Sequence, residues 1–232
     1  VKGVLYHICK QYLKNHILKT QIAKSVEGLN FIRGISIFNQ SQINAQTRSI
    51  VATFLDIFDN IRDVFANNNN LFDKSYFSFN HKNGQCVKCK GLGELNDVIC
   101  PYCVGSGYKN EVLNIEYNGF HINELLNTDI ESVAEVFKNN TKILTAIYYL
   151  KNLRLGHLSL GRKTTTLSGG EAQRLKLAKY LIKNHSQIKK GGFIFIIDEP
   201  TSGLDVQNIH YLYKIFDELI KYKNSVICIE HN

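Results

Sequence analysis

Methionine is missing from all 232 residues. Val1 is therefore not expected to be a translation start, and the chain is expected to be a fragment or a processed form that opens directly into a helix. No apolar run approaches the ~20 residues that a membrane-spanning helix needs, and the N-terminus lacks the charged-then-apolar pattern of a secretory signal. These absences point to a soluble, cytoplasmic protein with no membrane partner. No long-period repeat is visible, and the asparagine run at 67–70 is too short for a low-complexity domain. What is present is a chain 44% hydrophobic, enough to bury one good core or two modest ones. A formal net charge of +8 suits an anionic partner such as nucleic acid, and equally a solvated lysine surface.

Six cysteines divide unevenly. Four form two Cys-x-x-Cys pairs, and Cys9 and Cys228 sit alone in apolar stretches, where core positions are expected. That is metal arithmetic more than a secreted disulfide framework.

Periodicity gives an α/β chain. Leu5, Ile8, Tyr12 and either Leu13 or His16 share one helical stripe over residues 4–17, and residues 34–38 read as a short strand. Phe54, Phe58, Ile61 and Phe65 are spaced by four, three and four, which predicts one helix face burying three phenylalanines. A glycine- and cysteine-rich segment, 84–107, breaks all helical spacing and reads as an inserted module. Helical spacing returns over 132–153 and 168–182. Residues 193–197 form a continuous apolar strand, 206–222 a helix and 225–229 a strand, the order of a parallel-sheet unit.

The strand 193–197 runs into Asp198-Glu199-Pro200, placing adjacent carboxylates at the carboxyl end of a buried strand, where α/β proteins build their sites. Asp198 there suits Mg²⁺ and Glu199 suits an attacking water; a plain acidic turn is the alternative. Upstream, Ser168 and Glu171 form an S-x-x-E capping box. Gly169 and Gly170 inside it let an anion approach the first-turn amides, a phosphate cradle at a helix start.

Leu167 to Glu171, Ile196 to Glu199 and Ser202-Gly203-Leu204-Asp205 resemble, in this order, the signature, Walker B and D-loop motifs of the ABC ATPases. His231, just past the strand 225–229, is similar to their switch histidine, and Gln40 after the strand 34–38 to their Q-loop glutamine. The resemblance implies a P-loop ABC-type fold that uses ATP and Mg²⁺, with Glu199 and His231 catalytic. Gln40, Ser168, Gly169, Gly170, Glu171, Asp198 and Asp205 would bind the nucleotide. The Walker A loop, G-x-x-x-x-G-K-[ST], occurs nowhere in the chain. In the family it precedes a helix like 4–17, so its loss just upstream of Val1 is expected, and with it poor ATP binding and almost no hydrolysis by this chain alone.

Cys86, Cys89, Cys100 and Cys103 have the pair spacing of a tetrahedral structural Zn²⁺ site. Glycines after each pair, Gly91 and Gly93, then Gly105 and Gly107, allow the turns to fold back toward sulfur. The repeat resembles the zinc modules of DnaJ-type chaperones, which would make a protein-binding module, though with two repeats where that family has four. It also occurs in the UvrA family, whose Phe-Ser-Phe-Asn lead-in is matched by Tyr76-Phe77-Ser78-Phe79-Asn80. Glu171 and Lys176 in the signature helix, Arg48-Ser49, Ala52-Thr53 and Phe58-Asp59-Asn60-Ile61-Arg62 are likewise similar to UvrA. Asn39-Gln40-Ser41-Gln42-Ile43-Asn44-Ala45, Ile50-Val51 and the ten residues between the cysteine pairs depart from it.

The UvrA resemblance implies a homodimeric, ATP-driven protein that surveys duplex DNA for damage, loads a UvrB-like partner, and acts in nucleotide excision repair. Lys82, Lys88, Lys90 and Lys109 would reach phosphates, or be merely solvated. The implied domains are a first part of the ATP-binding core, 1–47, an inserted helical signature domain, 48–163, with a zinc module at 76–110, and the rest of the core, 164–232. A divergent UvrA-like paralogue, of the sort associated with antibiotic self-protection, would keep the ATPase motifs without loading the partner. A transport-complex ATPase fits the zinc insertion poorly, and a zinc protein-binding module leaves Asp198 and Glu199 unexplained.

Overall fold

A computed structural model describes residues 3–15, 23, 25–43 and 48–231. In chain order these form α1 (Leu5–Asn15), β1 (Gly34–Phe38), α2 (Val51–Phe54) and α3 (Phe58–Asn67). A hairpin of β2 (Glu94–Leu95) and β3 (Val98–Ile99) follows, then α4 (Asn110–Leu113) and a hairpin of β4 (Glu116–Tyr117) and β5 (Phe120–His121). The chain continues through α5 (Ile122–Asn127), α6 (Thr141–Asn152), α7 (Gly169–Lys183), α8 (His185–Ile188), β6 (Phe193–Asp198), α9 (Val206–Lys221) and β7 (Ser225–Ile229). It divides into two compact units. One takes in Val1–Gln42, Asn152–Arg154 and Ser168–Asn232, and the other Ile43–Lys151 and Leu155–Leu167.

Within the first unit, β1, β6 and β7 make a parallel sheet in the order β1-β6-β7. The register sets Phe38 beside Ile197 and Asp198 beside Ile229, so the three strands end level. Phe195, Ile196 and Ile197 are buried, as an unbroken apolar run with covered faces requires. The rings of Phe38, Tyr180 and Phe195 meet at 5.7–6.4 Å between centroids and fix α7 to the sheet. On α9 the spacing Leu212, Ile215, Phe216, Leu219 gives the buried stripe. Asp205 caps that helix, its carboxylate accepting from the Asn208 amide at 2.8 Å. Ile8 and Cys9 of α1 bury with Leu29.

The second unit packs aromatic rings on α3. Phe65 meets Phe77 at 5.4 Å and Tyr117 at 5.8 Å, and Phe58 meets Phe79 at 5.4 Å. The segment leading into the cysteines is thereby anchored before the first of them is reached.

Three sequence expectations change. Phe54 does not share a helix with Phe58, because Asp56 takes a left-handed backbone, φ 59°, and ends α2. Asp tolerates that conformation better than most residues. Phe58, Ile61 and Phe65 are buried and Phe54 is half-buried, so the buried face carries two phenylalanines and an isoleucine. The helical spacing over 132–153 resolves into a 3₁₀ turn, Glu135–Phe137, and α6, separated where the Asn140 side chain accepts from the Ile143 amide and starts the new helix. Cys228 is exposed on β7, the last strand of the described sheet, whereas Cys9 is buried as expected. His16, Ile17, Asn44, Ala45 and the expected domain end at residue 47 lie outside the described residues.

Candidate functional site

Level strand ends bring distant residues together. Glu199, one residue beyond β6, has a left-handed backbone, φ 49°, a conformation uncommon for a residue with a Cβ. Its amide still donates to the Ile229 carbonyl at 2.7 Å, so the turn begins while the backbone is tied to β7. The Glu199 carboxylate is held from two sides. Gln40 Nε2 donates to its Oε2 at 3.1 Å, and His231 Nε2 stands 4.0 Å from its Oε1. His231 is about three-quarters exposed, open to a bound group. A cleft of about 300 Å³ lies here, lined by Glu199, Thr201, Ser202, Gly203, Glu230 and His231. Glu230 accepts from both the amide and the hydroxyl of Thr201, at 3.1 and 2.9 Å, pinning the turn after β6 to the segment that carries His231.

Beside this end of the sheet stands the start of α7. Ser168 Oγ accepts from the Glu171 amide at 3.3 Å, and the Glu171 carboxylate accepts from the Ser168 amide at 2.8 Å, a reciprocal cap. A Cβ on Gly170 would sit 2.7 Å from the Ser202 carbonyl, so only glycine allows this approach. Arg174, nearly fully buried, donates to that same carbonyl at 3.1 Å, and burial lowers its pKa.

Gln40, Asp198, Glu199 and His231 thus gather at one end of the sheet, with Ser168 to Glu171 on the same unit. Asp205 lies farther along, its carboxylate engaged in capping α9 and in accepting from the Asn208 side chain at 2.6 Å. Sequence reasoning missed Gln173, Arg174 and Glu230 as holders of the site. For the first two a signal was available, since they are polar residues set among Ala172, Leu175, Leu177 and Ala178, all buried.

The second unit carries the cysteines. The four Sγ atoms lie within 4.8 Å of one another and all four residues are buried. Cys86 and Cys100 sulfurs are 4.0 Å apart, and those of Cys89 and Cys103 3.6 Å. A tetrahedron with ~2.3 Å metal–sulfur bonds requires about 3.8 Å between sulfurs, so this set fits zinc. The Gly93 amide donates to Cys89 Sγ at 3.2 Å and the Gly107 amide to Cys103 Sγ at 3.3 Å, the same knuckle twice. Lys90 and Val104 have positive φ, as do the glycines that follow them, Gly91 and Gly105. At Gly91 a Cβ would stand 1.7 Å from the Phe79 carbonyl. Burial pushes the Cys103 thiol up to about 12. Of the lysines expected to reach phosphates, Lys82, Lys88 and Lys90 are exposed, Lys88 lying 4.8 Å from the Tyr102 ring; Lys109 is half-buried near Glu111.

A parallel sheet whose ends carry Gln40, Asp198-Glu199 and His231 beside a glycine-rich helix start, interrupted between Gln42 and Ser168 by a unit with a four-cysteine module, defines an ABC-type nucleotide-binding fold of the P-loop class. No family model matches the chain. It is 38% identical to UvrABC system protein A of Staphylococcus aureus (strain COL) and 37% identical to that of Staphylococcus epidermidis, aligning along its full length to 25% and 26% of those proteins. Among solved structures, UvrA2 from Deinococcus radiodurans matches 88% of the chain and 26% of its own, with a TM-score of 0.78 and 33% identity. The chain is UvrA-like from end to end, and it spans about a quarter of the length of the curated relatives it matches.

Proposed function

We propose that this chain supplies the signature, Walker B and switch portion of a UvrA-type ATPase that recognises damaged duplex DNA in nucleotide excision repair. The observation that carries the reading is Glu199, set at the end of a buried strand between Gln40 and His231. In this reading Asp198 holds Mg²⁺, which on binding neutralises phosphate charge. Glu199 orients the attacking water and His231 faces the terminal phosphate. The first-turn amides of α7, with Ser168, Gly169 and Gly170, meet phosphate oxygens, and Gln40 reports on the nucleotide through Glu199.

The first unit acts as the ATP-binding core, the second as the signature domain, and Cys86, Cys89, Cys100 and Cys103 hold a structural Zn²⁺. The whole protein works in the cytoplasm as a homodimer with a UvrB-like partner, and a Walker A loop completes the nucleotide site. Among the described residues no helix is long and apolar enough to cross a membrane.

The test is duplex affinity with and without one bulky adduct, measured across a salt series with ATP, on the chain joined to a Walker A segment. Tighter binding to the adduct, with an ATP dependence lost in Glu199→Ala, is expected. Equal or absent binding would overturn the repair role and favour a paralogue with another task.

A further inference from the structure

The signature helix grips the loop that carries Gln40 at two points. Gln173 Nε2 donates to the Phe38 carbonyl at 3.1 Å and to the Asp198 carbonyl at 2.5 Å, clasping β1 to β6 at their carboxyl ends. Three residues on, and so on the same helix face, Lys176 Nζ donates to Ser41 Oγ at 2.8 Å and to the Ser41 carbonyl. Phe38 and Ser41 flank Asn39-Gln40. A Cβ on Gly169 would come within 3.5 Å of Gln40 Oε1, so α7 lies against the same loop at its first turn too.

Packing alone does not account for Gln173. It is 2% exposed, both of its partners are carbonyls, and its Oε1 has no hydrogen-bond partner among the described residues. A buried amide with an unsatisfied oxygen is a cost that leucine at this position would avoid. Leucine would, however, leave the Phe38 and Asp198 carbonyls without that donor.

We propose that Gln173 and Lys176 are positioning residues: from one face of α7 they bracket Gln40 and hold its amide against Glu199. This rests on the reading of Glu199 as the group that orients water, and gives α7 a role toward its own chain's carboxylate in addition to the anion cradle at its tip. The connectivity gives the grip a use. The chain leaves the first unit after Gln42, touches it again at Asn152–Arg154, and comes back into it to stay at Ser168, the cap of α7. The outgoing and returning segments are tied to each other, so a displacement of the returning helix is carried to Gln40 and on to Glu199.

Nuclear magnetic resonance of the isotope-labelled 232-residue chain tests this without nucleotide. In Lys176→Leu the Gln40 side-chain amide resonances are expected to shift and their hydrogen exchange to rise about threefold to tenfold, as for loss of one hydrogen bond's restraint, with β7 amides still protected. Lys176→Arg is expected to restore most of the wild-type signal, and Gln173→Leu to repeat the Lys176→Leu effect. Unmoved Gln40 resonances in Lys176→Leu, with the fold intact, would overturn the grip, and this variant decides even where Gln173→Leu unfolds.

The chain joined to a Walker A segment then gives the functional arm. There kcat is expected to fall roughly tenfold in Lys176→Leu with KM for ATP within about twofold. Altered Gln40 signals with kcat unchanged would overturn the positioning role. Wild-type inactivity would instead contradict the proposed ATPase and leave the resonance measurement to decide the grip.

Discussion

Single residues in each unit work under constraint. Glu199 bears its carboxylate on a left-handed backbone, and Gly91 lies where any side chain would strike the Phe79 carbonyl. Gly91→Ala is therefore expected to destabilise the knuckle by about 1–3 kcal/mol, read as a fall in thermal midpoint together with weakened zinc retention. Metal analysis of the purified chain is expected to find one zinc, absent in a Cys86→Ser, Cys100→Ser double variant; full retention there would refute the four-sulfur site. Because the thiols must lose protons to bind, zinc affinity is expected to fall as pH falls, followed with a competing chelator. The candidate site residues were legible in the sequence, since Asp198, Glu199 and the cysteines stand out by their type and spacing. Of the groups that hold them, Gln173 and Arg174 were legible only as polar residues in an apolar helix stretch, and their partners were not. Gln173 and Lys176 lie 135 residues from their partners in β1 and the loop after it, and nothing local in sequence reports such a pairing.

Elements differ in how strongly they declare themselves. α7 and α9 announce their starts through Ser168 and Asp205, and the structure has both side chains accepting from a third-position amide. Ser168→Ala or Asp205→Ala is expected to cost about 1 kcal/mol each in chemical denaturation. The strands β1, β6 and β7 were equally plain, as short apolar runs. By contrast β2 to β5 are two residues each, too short for any period to show, and the break between α2 and α3 depends on a single backbone angle at Asp56. The cysteine module has little regular structure, only the β2–β3 hairpin, so its order is expected to depend on the proposed zinc as well as on the anchoring rings of Phe77 and Phe79. Chelation is expected to raise amide exchange across residues 84–107 sharply while β6 and β7 stay protected. Uniform protection after chelation would contradict that dependence.

For the molecule as a whole, the central proposal is that Glu199 drives ATP hydrolysis once a Walker A loop is supplied, a reading supported by the sheet end and the UvrA likeness. If the net charge of +8 serves polyanion binding, that affinity is expected to weaken with salt and to say little about sequence or damage. The claim is tested most directly by ATP turnover of the chain joined to a Walker A segment, compared with its Glu199→Gln variant, with nucleotide binding followed in parallel. Hydrolysis is expected to fall at least about a hundredfold in the variant while ATP is still bound, as for loss of a group that acts in the transition state. Equal turnover by the two proteins would contradict it.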